Sequence, residues 1–187
     1  MGQRHQKCRH SYPIAIALRE AITITMDAQT EHQHFMAYAL ERAWTEVRAG
    51  NRPIFCLVVK DGQIVGHGPN TVARDDDPTA HGEVNAIRNA CTRLRTINLA
   101  GCTLYTPMEP CPMCLATVLE AKIERLVLGA RHLRVGRKDL GDYSVASFLT
   151  LVKRDLDVVS GMREAECEQL RNTWTATRAL TDIVAHS

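Results

Sequence analysis

Four residues in two short segments carry the chemistry of this chain. His81 and Glu83 lie in Ala80-His81-Gly82-Glu83, and Cys111 and Cys114 lie in Pro110-Cys111-Pro112-Met113-Cys114. Together they offer one imidazole, two thiolates and one free carboxylate. Three nitrogen and sulfur ligands suit zinc, and three protein ligands rather than four leave a position for water. Zinc lowers the pKa of such a water to about 7. A carboxylate two residues from the histidine is then placed to move that water's protons. These residue types describe a hydrolytic metal centre better than a structural one.

The spacing has a local logic. A Cys-x-x-Cys pair in the first turn of a helix points both sulfurs toward one place, because residues three apart are neighbours on a helix. Pro112 suits the first helical position, where its missing N–H costs nothing. Asp77-Pro78-Thr79 reads as the start of a helix, continued by an apolar stripe at Val84, Ile87, Cys91 and Leu94. At a first turn, His81 and Glu83 both reach over the helix end. The expected zinc therefore lies between two helix N-termini, whose partial positive charge favours thiolates. Two bland readings stand beside this one. Cys-x-x-Cys also serves as a redox pair, and His132 or Cys102 would complete a structural site.

The elements needed to position these residues alternate along the chain. His34 to Ala49 reads as an amphipathic helix ended by Gly50. Arg52 to Lys60 is an apolar run expected of a central strand. Asp61-Gly62 is a hairpin signal, so Gln63 to Gly68 should pair antiparallel with it. The His81 helix follows, then a strand at Cys102 to Thr106 and the Cys114 helix. A strand at Arg125 to Gly129, a helix at Ser144 to Leu151, a strand at Leu156 to Ser160 and a helix at Arg163 to Trp174 complete the series. The fold class is α/β: a three-layer α/β/α sandwich with a five-stranded mixed sheet.

At 187 residues, with 45% hydrophobic content and a net charge of +2, the chain suits one packed domain and does not announce a nucleic-acid binder. Seven cysteines without a disulfide framework fit a reducing, cytoplasmic setting. No apolar run approaches transmembrane length, so no membrane partner is expected. The domain is taken as residues 28–187. Residues 1–27 form an N-terminal extension of uncertain role, with Arg4, Lys7, Arg9 and Arg19 unmatched by an acid before Glu20. A dispensable extension, a transit peptide, an upstream start and a small hairpin at Ile14 to Met26 are the readings open there.

From about Phe35 to about Trp174 the chain resembles the zinc-dependent cytidine deaminase-like superfamily, through the His-x-Glu…Pro-Cys-x-x-Cys pattern and through Gly68-Pro69-Asn70, Leu104-Tyr105-Thr106 and Glu109-Pro110. It looks like the branch of guanine deaminases, fungal-type cytosine deaminases and tRNA adenosine deaminases. The resemblance implies one zinc per chain held by His81, Cys111 and Cys114, Glu83 as the catalytic proton carrier, and Asn70 as a substrate-binding residue. Its implied reaction is hydrolytic release of ammonia from an aminated ring.

Substrate signals diverge. Asp77 to Cys91 is similar to guanine deaminases, but Gly82 stands where alanine is commonest and matches the cytosine enzymes. The acid that guanine deaminases carry after the fourth strand is not met until Asp139. Val127 to Arg131 looks more like the tRNA enzymes, and Arg131, Arg134, Arg137 and Lys138 form a basic cluster. A free nucleobase or nucleoside is the first reading, with Trp174, Phe148 and Tyr143 as candidates to stack on it. A tRNA adenosine is the second, with nucleic acid the less favoured partner. A non-catalytic deaminase-like binding subunit is the reading from another class. Relatives imply a homodimer, with the Cys114 helix a plausible interface.

Overall fold

The structure is a computed structural model that describes residues 27–185. The expectations for residues 1–26 lie outside the described residues. Eleven elements follow in order: α1 (Ala28–Arg48), β1 (Phe55–Lys60), β2 (Gln63–Pro69), α2 (Val72–Asp75), α3 (Gly82–Leu94), β3 (Thr103–Met108), α4 (Pro112–Glu120), β4 (Arg125–Ala130), α5 (Val145–Val152), β5 (Asp157–Val159) and α6 (Glu164–Ala185). One sheet holds all five strands in the order β2-β1-β3-β4-β5. β1 runs antiparallel to β2 and β3, whereas β3, β4 and β5 are parallel. The sheet is mixed, as its sequence implies.

The hairpin forms at Asp61-Gly62, with φ of 49° and 70°, the left-handed pair that a tight two-residue turn requires. Helices cover both faces. One face packs Cys56, Val58, Leu104, Leu126 and Leu128 against α3, α4 and α5. The other packs Leu57, Tyr105 and Val127 against α1 and α6. Alternate residues of each strand feed opposite faces, so β1 has to be apolar throughout its centre.

β2 and α3 lie unusually close. A Cβ at Gly68 would come within 2.6 Å of the Asn85 Cβ and 2.9 Å of the Ala86 amide nitrogen. The two glycines of β2, Gly66 and Gly68, let α3 lie flush on the strand, and α3 carries His81 and Glu83 at its start.

Several boundaries differ from expectation, each for a local reason. α1 starts before His34 because the Asp27 carboxylate accepts the Thr30 N–H and hydroxyl. α3 does not begin at Asp77. That carboxylate closes a turn on Thr79, and His81 is the cap. α6 continues past Trp174 to Ala185. The short α2 has no sequence period long enough to announce it. No helix among the described residues is long and apolar enough to cross a membrane.

Candidate active site

His81 and Cys111 hold equivalent places in the fold. Each caps a helix, α3 or α4, in extended backbone, and neither does so with a side-chain oxygen. Pro112 takes the first helical position, and Leu115, Val118 and Leu119 of α4 are buried beyond it. The first-turn N–H groups of both helices therefore point toward the space between them.

The donor atoms meet in that space. His81 Nδ1 lies 3.4 Å from Cys114 Sγ and 3.7 Å from Cys111 Sγ, and the sulfurs are 3.6 Å apart. Zinc bonds of about 2.3 Å to sulfur and 2.0 Å to nitrogen, at a tetrahedral angle, give edges of roughly 3.8 Å and 3.6 Å. The three donors thus match one face of a zinc tetrahedron. Among the described residues, they are the one group of His, Cys, Asp or Glu compact enough for a metal ion. Neither proposed fourth ligand joins them. Cys102 is buried in the core packed with Val58 and Leu104, outside the compact donor group, and His132 Nε2 lies 3.4 Å from the Pro110 carbonyl.

The charge state of the thiols also fits a cation. Hydrogen bonding from Cys114 and from His81 holds the Cys111 thiol down to about 4. The same contact with Cys111, with burial behind it, pushes Cys114 far up. Two sulfurs this close share one proton until a dication replaces it. The hydrogen bond to Cys111 raises the His81 ring. Burial, reinforced by the charge on Cys111, raises the Glu83 carboxyl. Glu83 is only 5% exposed.

A cavity of about 190 Å³ opens over these groups, lined by His81, Glu83, Cys111 and Asn70 together with Ile54, Met108 and Trp174. It is smaller than the ~300–1,000 Å³ pockets of drug-sized ligands and suits a single planar ring. Asn70 is a turn residue that also borders the cavity. Its Oδ1 accepts the Val72 N–H at 3.3 Å, as a turn residue does, and its side chain lines the cavity. Of the three stacking candidates only Trp174 is there. Tyr143 and Phe148 pack edge to face in the core beside α5, and the Tyr143 hydroxyl donates to the Pro110 carbonyl at 2.8 Å.

The sequence reading missed the residues that hold the frame. Asn85 donates to the carbonyls of Pro69 and Ala80 and to the Thr71 hydroxyl, tying the Asn70 loop to the start of α3. It lies one helical turn after His81, which was the available signal. Glu109 is 3% exposed, and its carboxylate accepts the His132 and Val145 N–H groups, both at 2.9 Å, with Arg131 Nε 3.2 Å away. Burial alone would raise it, but those two N–H bonds and Arg131 outweigh burial and hold it below the ordinary carboxylate range.

A depressed carboxyl stabilises above its unfolded pKa and ceases to do so as pH falls through its folded value. Glu109→Gln cannot accept both N–H groups as strongly and leaves buried donors poorly met. We expect a loss of about 1–3 kcal/mol at pH 7 in urea denaturation, shrinking toward acid pH. The basic cluster, by contrast, is largely neutralised: Arg131, Arg134 and Arg137 pair with Glu109, Glu168 and Asp139.

Gly82 has a steric reason. A Cβ there would lie 2.7 Å from Ile54 Cγ2 and 3.2 Å from the Gly68 carbonyl oxygen. Gly82→Ala should cost about 1–3 kcal/mol, read by thermal unfolding, and adding Ile54→Ala should recover part of it.

The cytidine and deoxycytidylate deaminase zinc-binding region matches residues 29–130. The chain belongs to this deaminase family. The chain is 43% identical to guanine deaminase of Bacillus subtilis over 102 residues, which are 54% of this chain and 65% of that protein, a little under two thirds of its length. It is 34% identical to the tRNA-specific adenosine deaminase of Haemophilus influenzae over 163 residues, 82% of this chain and 90% of that protein. A solved structure from a study of A-to-I editing by tRNA:A34 deaminases at the wobble position of transfer RNA aligns with a TM-score of 0.66. Its identity is 34%, over 73% of this chain and 98% of that one.

Proposed function

We propose that this deaminase hydrolyses the exocyclic amine of a small nucleobase or nucleoside, with His81, Cys111 and Cys114 as its zinc ligands. The observation that carries the reading is the common cavity: Glu83 and Asn70 line one enclosed space together with His81 and Cys111. Zinc bound by the three donors supplies a Lewis acid that makes water nucleophilic near neutral pH.

The chain's own residues supply the rest. Glu83 accepts a proton as the oxygen adds to the ring carbon. It gives that proton to a ring nitrogen, then takes the second proton from the added hydroxyl and passes it to the departing amine, so that water enters and ammonia leaves. Burial raises the Glu83 pKa above the ordinary carboxylate value, the direction that helps a carboxyl hold and return a proton. The Asn70 amide N–H groups donate to a carbonyl or hydroxyl of the substrate, because Asn70 Oδ1 is turned to Val72. The N-terminal N–H groups of α4 favour negative charge developing beside Cys111.

The reading favours a free base or nucleoside because the cavity is small and the basic cluster is already paired with acids. A tRNA adenosine is the second reading, favoured by the extent of the Haemophilus influenzae match. A homodimer through the α4 region belongs to the same proposal, and on neighbouring α5 Leu151 is 78% exposed. Ammonia release should be measured from guanine, cytosine, isocytosine, adenine, their nucleosides and aminotriazines, beside a tRNA anticodon stem-loop. Release from at least one small ring is expected. Release from the stem-loop alone overturns the first reading in favour of the second.

A further inference from the structure

The cavity holds charged donors that its own acids do not answer. Arg52, Arg137 and Arg171 all line it, from the segment before β1, the loop between β4 and α5, and α6. The carboxylates beside them are engaged. Asp139 accepts three hydrogen bonds from Arg137, and Glu109 accepts two backbone N–H groups and faces Arg131. Glu83 is buried at the zinc ligands, where protons have to move. Arg137 is thus paired, whereas neither Arg52 nor Arg171 forms an ion pair among the described residues.

Arg171 is held in place by its helix. Its neighbours Cys167 and Leu170 are fully buried against the sheet, which fixes this stretch of α6. Its guanidinium lies 4.8 Å from the centre of the Trp174 ring, so an aromatic face supports it inside the cavity. Arg171 Nε is buried and has no hydrogen-bond partner among the described residues. Burial, and then repulsion from Arg137 and Arg52, disfavours its charge. A buried guanidinium with an open donor is costly until an acceptor arrives. With the cavity's acids engaged, that acceptor comes with the ligand.

The space limits where the ligand can carry it. About 190 Å³ suits one planar ring, which puts the acceptor on the ring itself rather than on a long arm. A carboxylate is compact and flat, and it takes two parallel N–H bonds from a guanidinium fork. We propose that Arg52 and Arg171 form a carboxylate subsite, so that the preferred substrate is a single aminated ring carrying a carboxylate. This rests on the deaminase reading above and selects among its small rings. The reaction is unchanged: the exocyclic amine leaves as ammonia, and the carboxylate serves only to hold the ring.

Binding of products, which cannot be deaminated, tests the subsite without turnover. The zinc-loaded full chain is titrated calorimetrically with uracil, uracil-5-carboxylate and uracil-6-carboxylate, and with 1,3,5-triazine-2,4-dione with and without a carboxylate. The matching neutral carboxamides control for shape. At least one carboxylate should bind about tenfold or more tighter than both its parent ring and its carboxamide, as expected for a charge-assisted contact. The gain should vanish in Arg52→Gln/Arg171→Gln and survive in part in Arg171→Lys.

No gain from any carboxylate, or an equal gain from the carboxamide, overturns the subsite. A gain that persists in the double variant also overturns it, since the carboxylate then sits on the metal instead. Zinc content and circular dichroism verify folding. If the double variant does not fold, Arg52→Gln alone is used, and an undiminished gain there counts against the proposal. Failure of the deaminase reading appears separately, as no ammonia release from any aminated ring, carboxylated or not.

Discussion

Replacing Glu83 with alanine should leave zinc bound and reduce ammonia release by at least about 10²–10⁴-fold, the usual contribution of a positioned acid or base. Glu83 is not among the three clustered donors, so its loss leaves the His81, Cys111 and Cys114 contacts intact. The expected loss lies in kcat, since the carboxyl acts on protons in flight rather than in holding the ring. Full activity in the variant would refute the role.

The same residue predicts a stability effect of opposite sign. Burial raises the Glu83 pKa above its unfolded value. A raised carboxyl contributes fully below its unfolded pKa, and that contribution is lost as pH rises through the folded one. In metal-free protein, Glu83→Gln should therefore be more stable than wild type at pH 7 and no different below about pH 4. Urea denaturation across pH reads the difference. A wild type that gains on the variant as pH rises would contradict the buried placement.

Removing zinc should cost the fold much of its stability. A ligand present at 1,000 times its dissociation constant contributes about 4 kcal/mol. For a domain of this size that is a fall in Tm of roughly 8–16 °C, measured by calorimetry with and without a chelator. Cys114→Ser should behave like the chelated protein, because Cys114 is fully buried between two donors and a hydroxyl is a poor zinc ligand. Metal-free protein that melts unchanged and still releases ammonia would point instead to a thiol pair unconnected with a metal.

The elements around the site were legible because their signals are local. Pro112 announces the start of α4, Asp61-Gly62 announces the hairpin, and the unbroken apolar run of β1 announces a strand covered on both faces. His81, Cys111 and Cys114 were legible by type and spacing, and the structure adds their mutual distances. The long-range polar contacts were not legible. Nothing near Glu109 in sequence indicates that it holds the N–H groups of His132 and Val145, which lie 23 and 36 residues away. Arg52 and Arg171 were not singled out, since only the packing of α6 brings them to one cavity. Tyr143 and Phe148 read as stacking candidates because core and pocket aromatics look alike in a linear pattern. Asp139, met late in the sequence, nonetheless lines the cavity because its loop folds back over it.

X-ray absorption at the zinc edge, on protein whose metal content has been counted, tests the central claim most directly. One zinc per chain, with two sulfur neighbours, one imidazole and one further light atom from solvent, is the predicted result. A fourth protein ligand, or the absence of stoichiometric zinc from active protein, would contradict it.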